Sequence, residues 1–190
     1  MKSIGDNQNA KIKGEHFCFS LNKSICKNSD QFKLVMHAIK NFVRRGDHFL
    51  LLKMIRRNLL VFNGMKENLV VKRGRSVLAE RLAGGTTYTG EVTDGALGDG
   101  VAPTFTNAST QLNTEVARLA AVDSSFEDNI AYIDFFFDSG DAPDQTYTEW
   151  GTFIDGDGTT PNSGRAFSLL ATGGWVKSGS MYVSSKYTII

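Results

Sequence analysis

Cysteine, histidine and proline are scarce in this sequence of 190 residues, which has two cysteines, three histidines and three prolines. Both cysteines and all three histidines fall within residues 1–64, so residues 65–190 contain neither type. A Ser-His-Asp or Cys-His nucleophile, and a zinc site built on imidazole or thiolate, are therefore excluded from residues 65–190. Two cysteines in a chain of this length form no disulfide framework, which favours a reduced, cytosolic context.

Long apolar runs are missing as well. The most apolar stretch, residues 48–62, is interrupted by Lys53, Arg56 and Arg57. It is also shorter than the roughly 20 residues that a membrane-spanning helix needs. Residues 1–16 are polar where a secretory signal peptide has an apolar centre. The sequence therefore predicts neither a transmembrane helix nor a signal peptide.

Charge is unevenly distributed, although the net charge of the whole chain is only +1. Residues 1–64 hold 12 Lys and Arg against 4 Asp and Glu, a net charge of +8, and residues 65–190 hold 9 against 16, a net charge of −7. Such asymmetry indicates two pieces with different physical behaviour. We predict a basic extension over residues 1–64, helical or poorly ordered, and a separate domain over residues 65–190. Met65 offers an alternative start of translation, in which case residues 1–64 take no part in the fold.

Two basic helices are expected in the first piece. Apolar side chains recur over residues 31–45 at the spacing of one helix face, namely Phe32, Val35, Met36, Ile39, Phe42 and Val43. Gly46 ends this helix, and residues 48–62 follow as a second one. A basic amphipathic helix binds an anionic membrane, a nucleic acid or a partner groove, or packs on its own protein. The sequence leaves these alternatives open.

The second piece is predicted to be rich in strands. After a short strand, residues 75–85 indicate a helix with Val77, Leu78 and Leu82 facing inward and Gly84-Gly85 as its stop. From residue 86 onward, side chains alternate with the period of two that is typical of β-strands. In residues 129–138 the odd-numbered side chains form one face of a strand, and Tyr132, Asp134, Phe136 and Asp138 form the other.

Further strands are expected over residues 145–155, 165–171 and 180–190, separated by turns rich in glycine, asparagine and aspartate. Strands at this spacing are typical of antiparallel sandwiches and barrels. The predicted fold class is mainly β: an antiparallel β-sandwich with one short N-terminal helix, preceded by the basic helical extension.

The stretch GGTTYTGEVTDGALGDG, residues 84–100, raises the question of a phosphate-binding loop. Gly95 and Gly100 have the required spacing, but Val101 and Ala102 stand where the lysine and the Ser/Thr belong. A proline and β-branched residues follow, where a dinucleotide site needs a helix. We therefore expect these glycines to serve turns, and we expect no cofactor.

Metal sites are not expected either. Asp155 and Asp157 begin like a calcium loop, but later ligand positions hold Thr159 and Ala166. The acidic loop of residues 138–144 is expected to be solvated. In the first piece, zinc ligands of the right type are present at His16, Cys18, Cys26 and His37. The seven residues between the two cysteines are unlike the compact pairs of structural zinc sites.

Four aromatic residues are predicted to be exposed and to anchor an interface: Tyr132, Phe136, Trp150 and Trp175. The alternative is that some of them fill the second face of a sandwich core, because a sheet covered on both sides has apolar residues on both. No catalytic residue is assigned, and an enzyme is not expected.

Five segments of residues 65–190 carry a resemblance to a known group of proteins: VVKRGRSVLAERLAGG (70–85), GALGDGVAP (95–103), TQLNTEVARLA (110–120), EWGTFIDGDG (149–158) and GRAFSLLATGGWVKS (164–178). In their order and spacing they resemble the N-terminal domain of phage tail-collar fibre proteins and related prophage tail and baseplate structural proteins. Residues 1–64 have no counterpart in that group.

The resemblance implies a structural role in the tail of a virion, with synthesis in the cytoplasm of a bacterial host. Other phage tail proteins and further copies of the same chain are the implied partners, and membrane or nucleic acid would be bound only through residues 1–64. The alternative function is a carbohydrate-binding, or less favourably glycan-cleaving, β domain of a receptor-binding protein. There Trp150, Trp175 and the acidic loops would hold a host surface glycan.

Overall fold

Strands and helices of this chain are described over residues 12–190 of a computed structural model. In chain order the elements are β1 (Ile12–Leu21), α1 (Asp30–Arg45), α2 (His48–Arg56), β2 (Leu60–Leu69), α3 (Lys72–Leu82), β3 (Val92–Gly98), β4 (Glu115–Ala120), β5 (Asp123–Glu127), β6 (Ile130–Phe137), β7 (Thr146–Ile154), β8 (Arg165–Val176) and β9 (Ser180–Ile189).

Two antiparallel sheets pack face to face. Within the described residues, sheet A has the strand order β2-β1-β9-β6-β5 and sheet B the order β4-β3-β7-β8. Strands account for 43% of the structure and helices for 20%. The predicted fold class, a mainly β antiparallel sandwich, is confirmed.

The core between the sheets forms from alternate residues of their strands. Phe135 and Phe137 of β6 meet Trp150 of β7 edge to face, with ring centroids 5.2 and 6.2 Å apart. Trp175 lies 6.2 Å from the same indole. The predicted period of two in β6 is therefore confirmed, with its odd-numbered residues facing sheet B.

β7 departs from strict alternation. Its pairing with β8 shifts register between Tyr147 and Glu149, the mark of a β-bulge. The extra residues lie in β8, where the partners of Tyr147 and Glu149, Trp175 and Ala171, are four positions apart. Tyr147 and Trp150, three positions apart in β7, are both buried between the sheets. An alternation read from the sequence has no means of locating such an insertion.

The outer face of sheet A is covered by α1 and α2. Val35, Ile39 and Val43 of α1 pack in one cluster with Tyr132 and Phe136 of β6. Ser29 caps α1 by accepting a 3.1 Å hydrogen bond from the backbone of Phe32, and Gly46 ends the helix with a φ of 68°. The first predicted helix is confirmed almost to the residue.

The second predicted helix is shorter than expected. α2 ends at Arg56, and Asn58 turns the chain with a φ of 53°. β2 then starts at Leu60, which pairs with Leu21 at the end of β1. The apolar residues at positions 60–62 form a strand because they pair with the backbone of β1, a partner that helical periodicity does not reveal.

The predicted division at residues 64 and 65 falls inside β2. β1, from the segment that the sequence sets apart, lies between β2 and β9, and Cys18 is paired with Val183. Residues 12–64 therefore supply the inner strand β1 of sheet A, part of its edge strand β2, and the two covering helices. α1 and α2 are helical as expected; β1 corrects the expectation of a purely helical or poorly ordered extension.

α3 packs beside β8 and leads the chain towards sheet B. Val77 is buried as predicted and Leu78 is partly buried, but Leu82 is 92% exposed, which corrects its predicted inward position. Leu82 is the last residue of the helix, beyond the reach of the sheet. Gly74 lies against the backbone of Phe167, where a Cβ atom would come within 2.8 Å of its Cα.

Candidate functional site

The four aromatic residues predicted to be exposed are all buried. Trp150 and Trp175 are 0% and 1% exposed between the sheets, and Tyr132 and Phe136 are 4% and 5% exposed beneath α1. Phe32 of α1 meets the Phe136 ring at 5.2 Å. The prediction of exposure is wrong because both faces of β6 are covered, one of them by helices that the sequence placed outside the domain.

The glycan platform suggested by the sequence is not formed either. It requires both indole faces to be open beside carboxylates, and both indoles lie in the core. The carboxylates of the acidic loops instead form ion pairs and hydrogen bonds within the protein.

The loop of residues 138–144 is bound to its own surroundings. Asp144 forms ion pairs with Lys23 at 2.7 Å and Lys177 at 3.3 Å, and accepts a hydrogen bond from the backbone of Gly179. The Lys23 ammonium is the main cause that lowers the pKa of Asp144. Asp138 accepts from the Ser180 hydroxyl at 2.9 Å.

The loop that follows β7 is similarly closed upon itself. Asp157 accepts hydrogen bonds from the backbones of Thr159 and Thr160 and from the Ser163 hydroxyl. The bonds from Thr160 lower the pKa of Asp157. Asp155 instead accepts from the backbone of Thr89 at 2.8 Å. Across residues 12–190, no three His, Cys, Asp or Glu side chains are grouped so as to hold a metal ion.

The glycine-rich stretch forms β3 and its flanks. A Cβ atom on Gly95 would come within 2.5 Å of the Trp150 ring and 2.6 Å of the Phe135 ring. Gly98 and Gly100 lie against the Glu149 side chain in the same way. These glycines allow close packing of the core rather than serving turns alone, a role that the local sequence pattern does not indicate.

Glu149 connects the β3–β4 loop to β7. Its side chain is fully buried, and its carboxylate accepts hydrogen bonds from the backbones of Asn113 at 3.2 Å and Thr114 at 3.0 Å. Buried carboxylates are stabilised in this way by backbone N–H groups. The residue therefore holds a long connection against the sheet.

A buried charged cluster joins β3, β4 and the β7–β8 loop. Arg118 donates two hydrogen bonds of 2.7 Å to the Glu115 carboxylate and one of 3.3 Å to Asp94. Its guanidinium lies 3.8 Å from the centroid of the Phe153 ring. A fourth bond, of 3.1 Å, goes to the carbonyl of Ser163. The planar donor fork of arginine suits this combination of carboxylates and ring.

A second buried cluster centres on His16 of β1. Its Nδ1 lies 2.8 Å from the Ser185 hydroxyl and 3.2 Å from the Trp150 indole nitrogen, and its Nε2 lies 3.0 Å from Asn68 Oδ1. The Asn68 amide nitrogen donates to the Leu169 carbonyl, so its oxygen faces the ring. Nε2 therefore carries the proton and Nδ1 accepts. Burial lowers the pKa of His16 to about 4.

This cluster places a histidine next to a serine, a pair that the sequence excluded within residues 65–190. His16 and Ser185 are both 0% exposed, however. A general base must reach a proton of a bound substrate. The geometry instead supports a structural role, in which one ring joins β1, β2, β7 and β9.

An apolar cavity of about 460 Å³ opens between the sheets, beside α3 and β5. Its lining includes Ile12, Leu78, Val92, Phe126, Ile133, Phe167, Tyr187 and Ile189. Three apolar side chains in this lining or next to it in the chain are exposed, and we call them the cavity rim: Phe126 (83%), Ile189 (55%) and Ile190 (69%).

A second distinctive surface lies on α2. Phe49, Leu52, Lys53, Arg56 and Arg57 surround a shallow depression of about 350 Å³, and all five are exposed. We call this set the α2 stripe. The helices of the described chain are all too short or too polar to span a bilayer.

Comparisons of this chain with protein-family models, with curated proteins and with solved structures found no match. The functional proposals below therefore depend on the residues of this chain. Two of its surfaces are used, the cavity with its rim and the α2 stripe.

Proposed function

We propose that this chain is a structural component of a phage or prophage tail or baseplate, that it has no catalytic role, and that it acts in the virion by binding copies of itself and other tail proteins. The five-segment resemblance supports this proposal. Residues in those segments have structural roles, which is compatible with it. Gly95 and Gly98 allow close packing against neighbouring side chains, and Glu149 holds the β3–β4 loop against β7. No observation favours the glycan-binding alternative, whose two tryptophans are buried.

The observation that carries the proposal is the apolar cavity with its exposed rim. Contiguous apolar surface that remains exposed on a single chain marks a site of association. Phe126 projects beside an apolar cavity, so one surface offers both a protruding side chain and a cavity of matching chemistry. In two copies related by a twofold axis, Phe126 of each copy would enter the cavity of the other. β5 is also the terminal strand of sheet A, and it leaves a backbone edge at the same place.

We expect the purified chain to form an oligomer that Phe126→Asp disrupts, because a carboxylate cannot enter an apolar cavity without a partner. Light scattering over a range of concentrations measures this. Val101→Asp is the matched control, since Val101 is 97% exposed and lies outside the cavity. A wild-type chain that stays monomeric at the highest concentration, or a Phe126→Asp chain that associates normally, would contradict association through the rim.

The assignment to a tail needs a separate measurement. We expect peptides of this protein in the tail fraction of particles purified from a culture that produces the phage, as measured by mass spectrometry after density-gradient centrifugation. The gene-deleted phage, prepared identically, is the control. Detection of the protein in the soluble lysate alone, with normal tails in the deletion, would refute the proposal.

A further inference from the structure

The α2 stripe combines apolar and cationic side chains on one face of a helix. Positions 49, 52, 53 and 56 of α2, with Arg57 at its C-cap, follow the i, i+3, i+4, i+7, i+8 spacing, which aligns side chains along one face. Phe49 and Leu52 are 77% and 48% exposed. They stand at the N-terminal half of the face, and the three cations stand at its C-terminal half.

The apolar members of the α2 stripe lie outside the core. α2 already buries Leu51 and Met54 against α1 and sheet A, in the cluster that contains Leu60 and Tyr182. Phe49 takes no part in that cluster. Exposed aromatic and aliphatic side chains on the opposite face of a packed helix therefore indicate a second partner.

The cations of the stripe are also available. Lys40 and Arg44 of α1 lie within ion-pair distance of Asp123, at 2.6 and 3.8 Å. Among residues 12–190, by contrast, no carboxylate lies within ion-pair distance of Lys53, Arg56 or Arg57. The nearest acidic residue along the chain, Asp47, caps the other end of α2 by accepting from the backbone of Phe49. Among the described residues, the C-terminal half of the stripe is thus a patch of positive charge without a carboxylate partner.

We propose that the α2 stripe docks this protein on the surface of an anionic lipid bilayer, with Phe49 and Leu52 entering the headgroup boundary and the three cations facing acidic headgroups. A helix with cations beside exposed phenylalanine and leucine has the chemistry of such an interfacial contact. The proposal goes beyond the role in tail assembly and does not depend on it, because the stripe belongs to different elements from the cavity rim.

The apolar residues decide between a bilayer and a nucleic acid. A nucleic-acid backbone rewards cations but leaves Phe49 and Leu52 in water, whereas the headgroup boundary takes up both kinds of side chain. The two partners therefore predict different effects of removing the apolar pair.

Sedimentation with vesicles tests the proposal on the full chain. We expect binding to vesicles of phosphatidylcholine mixed with phosphatidylglycerol and much weaker binding to phosphatidylcholine alone. The triple variant K53Q/R56Q/R57Q should bind about a hundredfold more weakly, at roughly fivefold per cation. F49S/L52S should also lose most of the binding, although its charge is unchanged.

Two matched variants control for general effects. K72Q/R73Q removes two exposed cations from α3, and Leu34→Ser removes an exposed apolar residue from α1; both should bind as the wild type does. Circular dichroism establishes that each variant is folded. Raising the salt from 0.15 to 1 M, which shortens the Debye length from about 8 to about 3 Å, should weaken binding.

Three results would overturn the proposal. One is equal binding to neutral and anionic vesicles. Another is full binding by F49S/L52S. The third is binding to duplex DNA that exceeds binding to anionic vesicles, which would identify a nucleic acid as the partner. Free inorganic phosphate should compete poorly, because a single anion engages only part of the stripe.

Discussion

At the scale of single residues, the buried polar clusters link distant parts of the chain. His16 and Ser185 are 169 positions apart in the sequence and 2.8 Å apart in space. Buried polar groups are tolerated when each is hydrogen-bonded, and removal of one partner leaves the others unsatisfied. His16 is therefore a sensitive position in the fold.

The pKa of His16 predicts a pH-dependent stability. Burial lowers this pKa from 6.5 to about 4, so between these values the unfolded chain binds a proton that the folded chain does not. Stability from this residue is complete above pH 6.5 and is lost as the pH falls towards 4, by about 3 kcal/mol in total.

Urea unfolding of the wild type and of His16→Gln, above and within this pH window, measures the effect. Carboxylates that titrate in the same range contribute equally to both proteins, so the difference between them reports His16. We expect His16→Gln to show a shallower decline, and His37→Gln, at an exposed site, to follow the wild type. Parallel curves for His16→Gln and the wild type would show that the proposed linkage is absent.

At the scale of elements, α1 and α2 form an insertion between two paired strands. Leu21 at the end of β1 is the register partner of Leu60 at the start of β2. A two-residue turn would suffice to join them. The intervening residues 22–59 instead cover Phe19, Tyr132 and Phe136 on the outer face of sheet A.

Replacing residues 22–59 with Asn-Gly should therefore preserve the β1–β2 pairing but expose that face. Uncovering several large side chains, at about 1.5–3 kcal/mol each, should lower the unfolding free energy and cause aggregation. Light scattering and thermal unfolding measure the two effects. The same replacement with Phe19, Tyr132, Phe136 and Tyr182 changed to threonine should be more soluble. Equal solubility of the two shortened proteins would argue against a covering role.

At the scale of the whole molecule, the uneven charge takes on another meaning. The basic first segment is joined to the acidic remainder by ion pairs, Lys23 with Asp144 at 2.7 Å and Lys40 with Asp123 at 2.6 Å. Exposed pairs of this kind contribute little individually. Their arrangement nevertheless shows two oppositely charged parts of one folding unit, which the sequence suggested were separate.

The chain of residues 65–190, which would result from translation starting at Met65, should not fold by itself. It lacks β1, and β9 would lose the neighbour that supplies His16 and Cys18 to the core. We expect poor near-ultraviolet circular dichroism and no cooperative melting, with partial recovery on co-expression of residues 1–64. The chain of residues 12–190 retains every contact described above and serves as the control. A cooperative melt of residues 65–190 like that of the full chain would refute this expectation.

The sequence by itself determined the class of each long element and the overall architecture. The period of two in β6 and the helical stripe of α1 were predictable because both are local patterns, carried by neighbouring residues and enforced by backbone geometry. The sandwich followed from the number and spacing of such strands.

Only the tertiary structure decided which residues are buried and which parts belong together. The place of β1 beside β9 depends on backbone pairing between residues more than 150 positions apart. Local sequence patterns do not predict such long-range pairing. His16 is buried because that pairing places β1 inside sheet A, whereas Trp150 is buried by the packing of the two sheets and Phe136 by α1. The candidate surfaces therefore lie elsewhere, at Phe126 and the α2 stripe. The type of a side chain determines what it can bind. Whether it is exposed depends on which other parts of the protein pack against it.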